Sequence, residues 1–221
     1  MELDTGDATV VLARHGETQW NRERRIQGWA PTSLTDTGRE QATVLGRHLT
    51  DAYDVGRVVA SDLRRTRETA RLVARHVDCP VDYDRDWRER SFGVYQGLSY
   101  EKVFERHPEF AVHEIGIEAA RTEPEGGESL LAARERVLDA WNRLVAALAG
   151  GETVAVVTHG GPLYVLLGHL RGQDLVTALT EHDQGNCAVS TVRLTDDGPV
   201  VVCDGDTDYR ESGAAAAGSS E

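Results

Sequence analysis

The chain has 221 residues, a formal net charge of −13 and Lys102 as the only lysine among its 24 basic residues. That length suits one α/β unit with a substantial core, and the acidic balance with no basic patch argues against nucleic-acid binding. No apolar stretch reaches the eighteen or so residues that span a bilayer, the acidic start lacks a signal-peptide pattern, and Cys79, Cys187 and Cys203 fit neither a disulfide framework nor a zinc site. A cytoplasmic protein with no membrane partner and no metal site of paired-ligand spacing is therefore expected.

In chain order, the apolar run Ala8-Thr9-Val10-Val11-Leu12-Ala13 stops at Arg14-His15-Gly16-Glu17-Thr18. This reads as a buried strand that delivers an imidazole to its C-terminal end, where open α/β sheets bind ligands. Arg14 points to an anionic ligand, and Gly16 lets backbone approach it closely. A helix is predicted over about 37–50, opened by a capping box at Thr37 and Glu40. Val58-Val59-Ala60 then runs into Ser61-Asp62-Leu63-Arg64-Arg65-Thr66, a strand leading to a helix over about 62–76. Two arginines in a first helical turn oppose the dipole, so they need another reason to be there.

A strand near 81–83 precedes Trp87-Arg88-Glu89-Arg90-Ser91-Phe92, and 98 to about 118 reads as short helices. Gly126-Gly127-Glu128-Ser129 reads as a loop and cap before a helix from Leu130 to about Leu148. Thr153 to Thr158 repeats the first design, an apolar strand that ends in His159-Gly160-Gly161-Pro162. Proline suits the first helical turn there, and the free amides and dipole of that helix favour an anion. Strands near 188–194 and 200–203 close the alternation. The tail from Glu211 is too poor in core-forming residues to pack and is expected to be disordered. The pattern predicts an α/β fold, a three-layer sandwich with a mostly parallel central sheet flanked by helices, as one domain over 1–210.

Three strand ends thus present two histidines and at least two arginines, which is a phosphate-binding inventory. Each residue alone has a plainer reading. A buried strand-end histidine is commonly just hydrogen-bonded structure, and Glu89 by itself is an ordinary charged loop residue. His48, His76, His107, His113, His169 and His182 read as solvated or structural.

Further segments extend the ordered set: Asn21, Gln27-Gly28-Trp29, Leu34-Thr35 through Gly38, Gln41-Ala42, and Gly93 after Arg88-Glu89-Arg90. Taken with the motifs above, over roughly residues 8 to 195, the chain resembles the histidine phosphatase superfamily in its phosphoglycerate-mutase-like branch. The resemblance implies that His15 is the nucleophile that forms a phosphohistidine, and that Arg14 and Arg65 hold the phosphoryl oxygens, with Arg64 a surface neighbour. It implies that His159 donates to a phosphoryl oxygen, that Glu89 is the general acid and base, and that Asn21 adds a neutral donor. Gln27 and Gly28 stand where the family places substrate-contacting groups, and Gly160 is counted with them. A small helical cap over the site, no metal and no cofactor follow from the same resemblance. The expected ligand is a small phosphate monoester; a homodimer is left open.

Departures from the mutase pattern bear on the reaction. That pattern would place tyrosine at Phe92, lysine at Tyr100, asparagine at Gly161 and aspartate at Pro31, and would add paired arginines in a longer cap. Losing several donors to a small trianion should cost well over 3 kcal/mol, at about 1.5–3 kcal/mol for each charge-assisted hydrogen bond. Hydrolysis through His15 is therefore the expected reaction, with phosphoglycerate mutase and a non-catalytic phosphate binder as the alternatives. Phe92, Tyr95, Tyr100, Phe104 and Phe110 predict an amphipathic lining that fits several phosphorylated metabolites equally well. The acidic, lysine-poor composition also resembles that of proteins from salt-rich cytoplasm. At molar salt, with a Debye length of about 3 Å, such a surface no longer repels a phosphate ester.

Overall fold

A computed structural model describes residues 7–180 and 184–210. The tail from Glu211 and His182 lie outside the described residues. In chain order the elements are β1 (Ala8–Arg14), α1 (Gln19–Arg22), α2 (Asp36–Ala52), β2 (Val55–Ala60), α3 (Arg64–Val77) and β3 (Val81–Tyr83), then α4 (Tyr100–Arg106), α5 (Val112–Ile115), α6 (Ile117–Arg121) and α7 (Leu130–Ala146), and finally β4 (Thr153–Thr158), α8 (Gly160–Leu170), α9 (Leu175–Thr180), β5 (Val189–Thr195) and β6 (Gly198–Asp206).

The sheet order is β3-β2-β4-β1-β5-β6. The first four strands run parallel, and β5 and β6 are antiparallel additions on the far side of β1. β1 and β4 are apolar on both faces because helices cover both faces. Side chains alternate across a strand, so Val11 and Ala13 join the α2 and α3 side of the core with Leu45, Leu49 and Val73. Val10 and Leu12 join the α7 and α8 side with Val137, Trp141, Leu163 and Leu166.

The register sets the site. Arg14 pairs with Thr158 at the carboxyl ends of β1 and β4, and the His15 N–H donates to the Thr158 carbonyl at 3.0 Å. The two His-Gly steps are thereby neighbours across one strand pair. One expectation is corrected at α2. Its cap is Thr35, whose hydroxyl accepts from the Gly38 N–H at 3.0 Å, while Thr37 Oγ1 accepts from Arg22. The reason is tertiary. A Cβ at Gly38 would stand 2.1 Å from the Glu17 carbonyl oxygen, so the position that a capping box would fill with glutamate must stay bare. Across the same contact, a Cβ at Gly16 would meet Gly38 O at 2.3 Å. These two glycines bring the histidine loop onto the start of α2.

Candidate active site

His15 is buried, and its Nδ1 lies 2.8 Å from the Gly16 carbonyl oxygen. A carbonyl only accepts, so Nδ1 carries the proton and Nε2 carries the lone pair. Arg65 Nε donates to that Nε2 at 3.2 Å. Burial, then Arg65 and Arg14, hold the imidazole well below its ordinary pKa, so the ring is neutral.

Arg65 enters from the first turn of α3 and is 1 % exposed. Its fork is aimed from behind: Nη2 donates to the Gly28 carbonyl at 2.8 Å and Nη1 to the Ala30 carbonyl at 3.3 Å. Burial lowers its pKa to about 10, which leaves it charged at neutral pH. Gly28 therefore holds an arginine through its carbonyl. Arg14 reaches back to the Gln184 carbonyl at 2.5 Å, and its buried Nε has no partner among the described residues. Arg64 lies on the surface, paired with Glu68.

His159 is fully buried, with its ring edge-to-face on His15 at 5.2 Å between centroids. Its Nε2 meets Ser61 Oγ at 2.9 Å, and its buried Nδ1 has no partner among the described residues. Burial, then Arg65, keep it well below its ordinary pKa too. Asn21 and Gln27 line the cavity above His15. The Gln27 Oε1 faces two hydroxyls, Thr18 at 3.0 Å and Thr32 at 2.8 Å.

Glu89 stands between two adjoining hollows, lining both. Its carboxylate accepts from the Arg90 N–H at 2.9 Å and the Gly161 N–H at 3.2 Å. Its main chain is braced: Trp29 Nε1 donates to the Glu89 carbonyl at 2.7 Å, and Arg136 donates to the carbonyls of Asp86, Arg88 and Glu89. Glu128 completes the brace by accepting from Arg136 and from the Ser91 N–H. Ser129 caps α7, as the loop reading had it. Replacing Arg136 by methionine takes the guanidinium from the largely buried Glu128 carboxylate, leaving it the Ser91 N–H, and removes a donor from the carbonyls of Asp86, Arg88 and Glu89. We expect a loss of about 3 kcal/mol in denaturant unfolding; a loss under about 1 kcal/mol would contradict the brace.

The first hollow, about 320 Å³, holds Arg14, His15, Asn21, Gln27, Arg65 and Glu89, with Arg24 at its edge. The second, about 270 Å³, lies under the cap; Phe92, Tyr100, Phe104 and Phe110 line it, and Gly160 forms part of its floor. Tyr95 departs from the expected lining: it packs on His107 and Phe110 beside a separate hollow. His113 is exposed, as its reading as solvated or structural expects, and stands at the cap-side hollow. Sequence reasoning quoted Arg90 without giving it a role, and missed Arg136, Tyr164, which lines the cap-side hollow, and Asn186, whose Nδ2 donates to the His15 carbonyl at 3.0 Å. Arg136 and Asn186 lie in segments where nothing local marks a site, and Tyr164 reads as one more residue of an apolar helix.

Two buried neutral imidazoles and two converging guanidiniums at the strand ends of a mostly parallel sheet are the apparatus of an anion-handling α/β protein. The model of the histidine phosphatase superfamily (branch 1) matches residues 10–207. A phosphoglycerate mutase-like protein of Arabidopsis thaliana is 39% identical over 163 residues, 72% of this chain and 69% of that one. A metal-independent phosphoserine phosphatase of the same plant is 33% identical over 197 residues, 89% of this chain and 80% of that one. The solved structure of Bacillus stearothermophilus YhfR superposes with a TM-score of 0.81 at 29% identity, covering 91% of this chain and 98% of that one. The chain belongs to the histidine phosphatase superfamily, branch 1.

Proposed function

We propose that the chain hydrolyses small phosphate monoesters through a phosphohistidine on His15. The observation that carries this reading is the His15 tautomer: Nδ1–H is tied to Gly16 O, and the Nε2 lone pair faces Arg65. In the first step Nε2 attacks phosphorus, the bond from phosphorus to the ester oxygen breaks, and Glu89 gives that oxygen a proton. Arg14 and Arg65 hold the equatorial oxygens as charge moves onto them. With the Ser61 hydroxyl donating to Nε2 of His159, the remaining ring proton sits on Nδ1, the donor this reading gives to the phosphoryl group. In the second step Glu89 takes a proton from water, water oxygen bonds to phosphorus, and the pair of the P–N bond returns to His15.

What supports hydrolysis over mutase chemistry is Gly161, which stands where the mutase pattern places asparagine and so brings no side-chain donor beside Glu89; only its main-chain N–H reaches that carboxylate, at 3.2 Å. Arg90 supplies no free clamp for a carboxylate, since its Nε and Nη2 donate to the Glu128 and Thr122 carbonyls. The plant relative named for mutase-like identity keeps mutase as the second reading. A panel of phosphate monoesters assayed in EDTA tests the proposal. Free phosphate from 3-phosphoglycerate without 2-phosphoglycerate is expected; 2-phosphoglycerate as the main product would reverse the choice, and no turnover of any ester would favour a binder.

The lowered His15 pKa has a second consequence. The unfolded chain takes up its proton near pH 6.5 while the folded chain does not, so this contribution is complete above pH 6.5 and is lost as pH falls below it. The slope approaches about 1.4 kcal/mol per pH unit once the unfolded imidazole is protonated, so the first unit below pH 6.5 costs about 1 kcal/mol. Between pH 6.5 and 5.5, unfolding free energy should fall more steeply for the wild type than for His15→Gln. Equal slopes would show that the buried ring titrates normally.

A further inference from the structure

Asn186 lies in the turn before β5, and no step above uses it. Its Nδ2 faces two acceptors, the His15 carbonyl oxygen at 3.0 Å and Asn21 Oδ1 at 3.4 Å. One side chain thus touches the main chain at the end of β1 and a side chain of α1. The turn itself is pinned. The Cys187 N–H points to the carbonyls of Arg14, at 3.1 Å, and His15, at 3.3 Å. Tyr209 donates to the Cys187 carbonyl and Arg210 to the Asn186 carbonyl. Cys187 holds φ at +54°, a conformation a cysteine keeps only where its surroundings impose it.

Asn21 sits on a single helical turn whose capping box points its Oδ1 back at Thr18, with the Thr18 N–H at 3.0 Å and the Thr18 hydroxyl at 2.9 Å. Asn186 adds a donor from outside that turn, on the strand side of the cavity. With Oδ1 facing the Thr18 and Asn186 donors, reversing the amide would set N–H against N–H. The Nδ2 hydrogens of Asn21 are thereby left for the cavity that Asn21 lines. We infer that Asn186 is a positioning residue: it orients the Asn21 amide as a phosphoryl donor and ties it to the His15 main chain at a constant spacing. The inference rests on the phosphoryl-transfer reading for what Asn21 donates to.

Because Asn186 acts through Asn21, the two should not behave independently, which a double-mutant cycle measures. Asn186→Ala is expected to lower kcat/KM about tenfold, the scale of one hydrogen bond to a charged group. In an Asn21→Ala background the same change should do almost nothing. Orthophosphate titration by calorimetry on the four proteins gives a second readout that needs no turnover, and Asn186→Leu, of similar size without donors, replaces the alanine variant should that melt early. Losses that multiply would make Asn186 a mere support of the turn and overturn the inference, as would an Asn186 variant that binds and turns over like wild type. Coupled phosphate binding in a protein that hydrolyses no ester would keep the positioning role and overturn the catalytic reading. A wild type that neither binds phosphate nor turns over would overturn both.

Discussion

His15→Ala should lower kcat by about 10⁴-fold or more while the chain stays folded, because it removes the proposed nucleophile. The ring is buried between β1 and α3, yet its single carbonyl contact is local, to Gly16. Losing it leaves a small cavity and relieves Arg65 of a neutral acceptor. The protein should therefore still bind orthophosphate through Arg14, Arg65 and the amide at Asn21, with its thermal midpoint near that of wild type. Phosphatase assays and a phosphate titration on the same preparation check both halves. A variant retaining more than about one per cent of wild-type kcat would mean that water, not an imidazole, attacks phosphorus.

Arg65→Lys should be nearly as damaging although it keeps the charge. The guanidinium is a rigid fork held by the Gly28 and Ala30 carbonyls with its Nε on His15. An ammonium has no planar fork and cannot hold two backbone carbonyls and face the phosphoryl oxygens together. Losing one arm of a preorganised anion clamp costs about 10²–10³ in kcat. The loss should appear in kcat/KM for every ester, because the phosphoryl group is common to all of them. Loss of affinity for orthovanadate, a mimic of the five-coordinate transition state, should parallel it. A lysine variant within tenfold of wild type for both would show that Arg65 contributes charge alone.

Much of this arrangement is written in local pattern. β1 and β4 are apolar on both faces because both are central strands, so each reads as an unbroken run, and each ends in His-Gly. Arg65 was legible because a cation in a first helical turn runs against the dipole and so calls for an explanation. The Thr35 cap was not legible: the choice of Thr35 over Thr37 depends on how near Glu17 comes to Gly38, a contact between segments. The direction of the cap aromatics was equally hidden. Short helices joined by single-residue turns give no stable periodicity, so Tyr95 and Phe104 look alike in sequence although only Phe104 lines the hollow that adjoins Glu89. The braces are the least readable of all. Arg136 reaches Glu89 across 47 positions and Asn186 reaches His15 across 171. Such pairs leave no mark on either neighbourhood. Ordinary arginine and asparagine in ordinary surroundings become specific only when the sheet brings them together.

If His15 Nε2 takes the phosphoryl group, the phosphohistidine can be trapped. The fastest ester of the panel, labelled in its phosphoryl group, is mixed with enzyme and quenched in alkali within milliseconds. Label is expected on the peptide carrying His15, at no more than one per chain, stable to alkali, lost in acid and absent from His15→Ala. Phosphate released at the wild-type rate with no labelled protein, or label on any other residue, would contradict it.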